Sequence, residues 1–311
     1  MINLRNYKKD LLTDLEVSVK DSVKIDKIKE GEKPSILSDT MFKTMFFNEN
    51  RLKYSVKFLS YYLDISYEEL LKNIKLSKNE HDKKKERDKG EKSDYVATIN
   101  DSILNIEVNN NRNSVILERN MEYAHRLYAS GVKCGGKYKY RQVIQFNLNN
   151  FSYNGNDKII DIYTVQNDEG LVLNNKLIFI QIYVPNLRRK WYNLGIEGLL
   201  EEERYILAMT EPSISTSIDL GKDIDVMEEY INESEEVMDD KFFGESYDKE
   251  VALKEQGRWE GKNEGIKVGR KEEKLEIAKK LITNKVDFEI ISKSTGLSVE
   301  ELNQLKDDDL D

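Results

Sequence analysis

Two carboxylates and an amide have the types and spacing to do chemistry: Asp94, Glu107 and Asn109, within SDYVATINDSILNIEVNNN at residues 93–111. YVATI (95–99) and SILNIEV (102–108) are rich in β-branched residues. Asn100-Asp101 between them suits a tight turn, which predicts a β-hairpin. Side chains two apart on a strand share a face, which groups Ile103, Asn105, Glu107 and Asn109 against Leu104, Ile106 and Val108. The apolar side is expected to face inward. With the turn at 100 and 101, the first strand returns Asp94 to the neighbourhood of Glu107. Two converging carboxylates make a hard-cation site, and oxygen ligands suit Mg²⁺ or Mn²⁺, which keep several waters and bind substrate phosphate. An ordinary polar solvent face is the alternative that spacing alone leaves open.

The elements that must hold these residues follow from periodicity. FKTMFFNENRLKYSVKFLSYYLDISYEELLKNI (42–74) has apolar residues at helical spacing and predicts two helices divided near Asn48 to Asn50, entered through Ser38 or Asp39 as N-cap. After the hairpin, NSVILERNMEYAHRLYASGV reads as a helix ending near Gly131. RQVIQFNLNNF, KIIDIYTV and KLIFIQIYVPNL then read as strands. Helix, hairpin, helix and further strands predict an α/β fold with a mixed sheet flanked by helices.

Charge is unevenly distributed. The chain carries a net charge of −9, but residues 196–250 hold 18 acidic against 4 basic residues, and the remainder is net positive at +5. The overall acidity therefore does not exclude a nucleic-acid partner. The mixed-charge run NEHDKKKERDKGEKSD (79–94) and the basic patch Arg188, Arg189, Lys190 and Trp191 could meet phosphate, although mixed charge runs more often serve as solvated loops. The single cysteine, Cys134, excludes an internal disulfide, and there is no Cys/His cluster for structural zinc. His81 falls in the charged run and His125 on a helix, and neither reads as a ligand. No leader-like apolar segment follows the start and no run is long enough to span a bilayer, so a soluble cytoplasmic protein is expected.

The C-terminal part differs in kind. Gly257, Gly261, Gly265 and Gly269 recur every fourth residue and would line one slowly drifting face of a helix. Each lowers helix stability by about 1 kcal/mol relative to Ala, so the seam reads either as a close-approach surface for a partner helix, including a homo-oligomer, or as a weak, flexible helix. DFEIISKSTGLSVEELNQL reads as two short helices around Thr295-Gly296, a helix-turn-helix pattern shared with other small helical hairpins.

Several blocks together resemble the PD-(D/E)XK nuclease superfamily, and more narrowly the Rpn-type recombination-promoting nucleases, also called PD-(D/E)XK nuclease family transposases. SDTMFKTMFF (38–47) resembles the family's first helix, DYVATIN-DSILNIEVN its hairpin, ERNMEYAHRLYASGV its Arg-and-Tyr helix, KYKYRQVIQFNL its next strand, and the Gly-repeat tail its C-terminus. The likeness covers roughly 36–150 and 250–306. It implies a restriction-endonuclease-like core with a helical C-terminal appendage, divided as an extension (1–35), a nuclease-like core (36–195), an acidic segment (196–249) and a Gly-seamed helix with a small hairpin (250–311).

By resemblance, the activity is Mg²⁺- or Mn²⁺-dependent hydrolysis of DNA phosphodiesters. Asp94 and Glu107 would be metal ligands with the Val108 carbonyl as a third, and Asp39 would match the acid on the first helix. Arg119 and Tyr123, four apart, would match the helix after the core and contact DNA or phosphate. Asn109 stands where the superfamily has a catalytic lysine and the subgroup often has Gln. An amide can orient water but brings no charge, so Lys43 or Arg119 would have to supply one from a neighbouring helix. Binding DNA or a protein without cleavage, and acting as an oligomeric interaction protein through the glycine seam, are the alternative readings.

Overall fold

The computed structural model describes residues 3–4, 17–77, 95–110, 115–130, 140–153 and 155–308. Asp94, His81, Cys134 and the charged run 79–94 lie outside the described residues.

A two-residue strand, β1 (Val17–Ser18), precedes three helices, α1 (Asp39–Met45), α2 (Leu52–Tyr62) and α3 (Tyr67–Asn73), where two were expected. Ser66 makes the extra division, because its side chain accepts from the Glu69 amide and caps a new helix. Then come β2 (Lys75–Leu76), β3 (Tyr95–Ile99), β4 (Ser102–Asn109), α4 (Ile116–Ser130), β5 (Gln142–Asn149), β6 (Ser152–Tyr153), β7 (Ile160–Thr164) and β8 (Leu177–Tyr183). The predicted hairpin is β3 and β4, paired antiparallel from Ile99–Ser102 to Tyr95–Ile106. Asn100 at its turn has φ 51°, a left-handed conformation that Asn tolerates better than most residues.

The main sheet has six strands in the order β2-β3-β4-β5-β8-β7. β4, β5 and β8 run parallel, and antiparallel pairs flank them on both sides. A parallel neighbour needs a crossover, and α4 supplies it between β4 and β5.

One face of the sheet is largely apolar: Leu104 and Ile106 of β4, Ile144, Phe146 and Leu148 of β5, and Ile178, Ile180 and Ile182 of β8. It packs against α1 and α2 through Phe42, Phe46, Phe58 and Tyr62. The acid-rich stretch after β8 closes the same core. After the basic α5 (Val184–Leu194) it folds as α6 (Glu201–Thr210), α7 (Ile214–Gly221) and α8 (Met227–Glu236), and together these helices bury Leu187, Tyr205, Leu207, Met209, Leu220 and Tyr230. Residues 196–249 are therefore part of the core, not a segment beside it.

The chain divides into two compact units, Met1–Val251 and Ala252–Asp311. The division falls within α9 (Lys241–Thr283), and the second unit continues with α10 (Phe288–Thr295) and α11 (Val299–Asp308). This unit has its own apolar cluster of Ala278, Ile291, Leu297 and Leu302. Gly296, at φ 72°, ends α10 in the left-handed conformation that glycine adopts without strain. Among the described residues no helix is long and apolar enough to cross a membrane.

Candidate functional site

The other face of the main sheet is buried, so the alternative of an ordinary solvent face does not hold for Glu107 and Asn109. At its start Val96, Ile103, Val143 and Leu177 pack beneath Ala124 and Leu127 of α4. Further along, the same face turns polar on each parallel strand: Asn105, Glu107 and Asn109 on β4, Gln145, Asn147 and Asn149 on β5, and Gln181 on β8. All seven are at most 3 % exposed. Period-two alternation grouped Asn105, Glu107 and Asn109 on one face of β4, as observed, but alternation does not say whether a helix covers the face.

Buried amides and acids need partners, and here they satisfy one another in a ladder across the strands. Asn105 Nδ2 donates to Glu107 Oε1 at 3.1 Å and to Gln145 Oε1 at 3.2 Å, and Gln145 Nε2 donates to Asn147 Oδ1 at 3.0 Å. One turn of the pleat further on, Asn109 Nδ2 donates to Asn149 Oδ1 at 2.9 Å, and Asn149 Nδ2 to Gln181 Oε1 at 2.9 Å. Arg119, half-buried on α4, reaches down so that Nη2 donates to Asn109 Oδ1 at 2.8 Å, with its guanidinium carbon 5.9 Å from the centre of the Tyr123 ring. The predicted pair of Arg119 and Tyr123 thus lies over the third position of the motif. Around this group Asn105 Oδ1, Asn120 Oδ1, Asn147 Nδ2 and Arg119 Nε are buried without a hydrogen-bond partner among the described residues.

The ladder ends on a second buried acid. Glu107, Asn147, Gln181 and Asp161 pair in register as one row across β4, β5, β8 and β7. Asp161 accepts from Asn156 Nδ2 at 2.8 Å and from the Tyr163 hydroxyl at 3.3 Å. Burial, reinforced by the Asp161 charge, pushes the Tyr163 phenol up to about 12, so it stays a donor at neutral pH. Three strand spacings separate the two acids, roughly 14 Å, which is too far to share one ion.

The first helix meets this region through its lead-in. Asn110, next to Asn109, donates through Nδ2 to the Leu37 carbonyl, and Asn150 ties Asn110 Oδ1 to Val23. Ser38 caps α1, and the Glu250 carboxylate accepts from Ser38 Oγ and from the amides of Asp39 and Thr40. Asp39 itself is exposed and ion-paired with Lys43 at 2.6 Å. Lys43 therefore points its charge at its own helix, while Arg119 points its charge at Asn109.

The basic run on α5 is neutralised internally. Arg188 pairs with Glu211 at 3.1 Å, Arg189 with Asp157 at 3.3 Å and Lys190 with Glu203 at 2.6 Å.

Glu107 offers hard oxygen in a fixed orientation. Among the described residues no group of three or more His, Cys, Asp or Glu side chains could hold a metal. The first described pair of the hairpin is Tyr95 with Ile106, so Asp94 enters as a ligand only through the sequence. One or two carboxylates completed by water and phosphate are what Mg²⁺ takes, and the donors fit such an ion in kind.

Sequence reasoning missed the rest of the ladder. The signal was there: QVIQFNLN of β5 repeats the every-second-residue amide pattern of SILNIEVN in β4.

A hairpin whose second strand carries the acid, joined through α4 to a parallel neighbour in a mixed sheet, defines a PD-(D/E)XK-type α/β fold. A family model described as PD-(D/E)XK nuclease family transposase matches residues 36–254, and the chain belongs to that family. Residues 271–307 match a model described as Rpn/YhgA-like nuclease family, C-terminal HTH domain. Comparison with curated proteins and with solved structures returned no match.

Proposed function

We propose that the chain is a metal-dependent DNA endonuclease that hydrolyses phosphodiester bonds, linked to recombination or mobile DNA, with its C-terminal helix-turn-helix domain contributing DNA affinity. The observation that carries the reading is a buried carboxylate, Glu107, oriented by Asn105 beneath a helix that brings a cation to the adjacent position. Glu107, Asp94 and the Val108 carbonyl would hold Mg²⁺ or Mn²⁺. A bound divalent ion neutralises phosphoryl oxygen and lowers the pKa of a coordinated water. The residues of the chain do the rest: Asn105 fixes the Glu107 carboxylate, the overlying α4 excludes bulk water from the row, and Asn109 holds its amide in one orientation between Arg119 and Asn149.

Binding without cleavage is the competing reading, and the uncharged Asn109 favours it. Supercoiled-plasmid nicking by wild type, Asp94→Ala and Glu107→Ala in Mg²⁺ or Mn²⁺ separates the two. Wild type is expected to nick only with metal, and each variant to lose at least about a hundredfold, the scale of losing a transition-state electrostatic group. Nicking that is independent of metal, or equal in all three proteins, sinks the proposal.

A further inference from the structure

We infer that Arg119 supplies the positive charge that the amide at 109 lacks, by donating to a phosphate oxygen of the bound DNA strand, and that Asn109 is the positioning residue that holds Arg119 there. The inference rests on the nuclease reading for its catalytic half only.

The other described arginines of the first unit make the case by contrast. Arg51, Arg126, Arg141, Arg188 and Arg189 each have a carboxylate partner, and Arg204 donates to the carbonyls of Leu220 and Lys222. Arg119 has neither among the described residues. Among these residues its one side-chain hydrogen bond goes to a neutral amide, its Nε is buried without a partner, and its guanidinium carbon lies over the Tyr123 ring. A half-buried cation without a counter-ion is costly unless an anion completes it. A planar guanidinium with N–H groups still free is shaped for phosphate oxygens.

Asn109 is fixed from behind. Its Nδ2 is committed to Asn149, whose own Nδ2 is committed to Gln181, so Oδ1 is presented to Arg119 in one orientation. A Lys at 109 would carry its own charge. With Asn there the charge comes from α4, and the amide aims it.

The test uses full-length protein and two readouts: DNA affinity against salt in non-cleaving Ca²⁺, and single-turnover cleavage in Mn²⁺. Arg119→Ala is expected to lower the slope of log affinity on log salt by about 0.9, the value of one B-DNA phosphate contact, and to slow cleavage about a hundredfold or more. Arg119→Lys should keep the slope while losing rate. Asn109→Ala should likewise keep the slope and lose rate, because the charge remains but is no longer aimed. Asn109→Lys in the Arg119→Ala background should restore the slope and part of the rate.

An unchanged slope in Arg119→Ala overturns the inference, and so does wild-type cleavage by that variant. If Arg119→Ala does not fold, as judged by thermal unfolding, the uncharged and bulkier Arg119→Gln decides in its place, and an unchanged slope there overturns the inference. If wild type does not cleave at all, the nuclease reading falls, while the slope still decides whether Arg119 meets phosphate.

Discussion

Asn105 touches nothing that reacts, yet its single amide nitrogen donates to both Glu107 and Gln145. Asn105→Ala would take a donor from two buried acceptors, and the loss of a buried acceptor's hydrogen bond costs about 1–3 kcal/mol. Chemical denaturation should show destabilisation in that range. If Glu107 is a ligand, calorimetry should also show Mn²⁺ affinity falling about 10–100-fold, the scale of removing a group that orients a ligand. Lost stability with unchanged Mn²⁺ affinity would remove Glu107 from the metal site. At this scale the sequence was legible in direction but not in depth. Alternation put Asn105, Glu107 and Asn109 on one side of β4, while the cover that α4 provides is a tertiary fact. Once the face is buried, a polar residue there must find a partner two residues along or one strand across, which is why Gln145, Asn147, Asn149 and Gln181 share the site. Only folding shows that Arg119, unlike Lys43 with Asp39, has no carboxylate partner among the described residues.

Elements were most readable where a local signal was strong. The Asn100-Asp101 turn marks the hairpin, and the amphipathic run after it marks α4. They were least readable after β8. There the basic Arg188 to Trp191 stretch hid a helix whose Pro185 sits in the first turn, where proline is tolerated. Acid-rich composition likewise masked α6 to α8, although Tyr205, Ile206 and Met209 recur at helical spacing and are buried. The glycine repeat is legible as helical, and the structure adds what surrounds it. A Cβ built at Gly257, Gly261, Gly265 or Gly269 meets no atom within 4 Å, so within this chain nothing requires glycine there. Gly261→Ala and Gly265→Ala should therefore each stabilise α9 by about 1 kcal/mol. That slows amide exchange across 257–269 roughly fivefold per substitution, with the mass in solution unchanged. Slower exchange that comes with loss of an oligomer would mean that a second chain uses the seam.

Across the first unit, part of the excess of acid between 196 and 250 is counter-charge for sequence-distant basic residues. Glu201 meets Lys57 at 3.1 Å, Glu233 meets Arg51 at 2.6 Å, and Glu211 stands beside the buried Lys33. Composition showed the imbalance, but only folding brings the two signs together, which is why the stretch looked like a separate segment. Half-exposed pairs of this kind contribute little individually, whereas Lys33 is a different case. It is fully buried and donates through Nζ to the Glu211 carbonyl at 3.0 Å, tying the lead-in to α1 to the end of α6. Burial drives its ammonium down to about 7 from 10.5, with the Glu211 charge opposing the shift. Between those two values the unfolded chain holds a proton that the folded chain does not, so stability must rise with pH across that window. The neutral amine still donates to carbonyl oxygen, so the tie survives deprotonation. Relative to Lys33→Met, which has nothing to titrate there, wild-type unfolding free energy from urea titrations should climb by about 1 kcal/mol or more per pH unit between roughly pH 8 and pH 10, and level off above. A difference that is flat or falling over that range would mean that Lys33 keeps its proton in the fold, and that the Glu211 carboxylate, not burial, sets its charge.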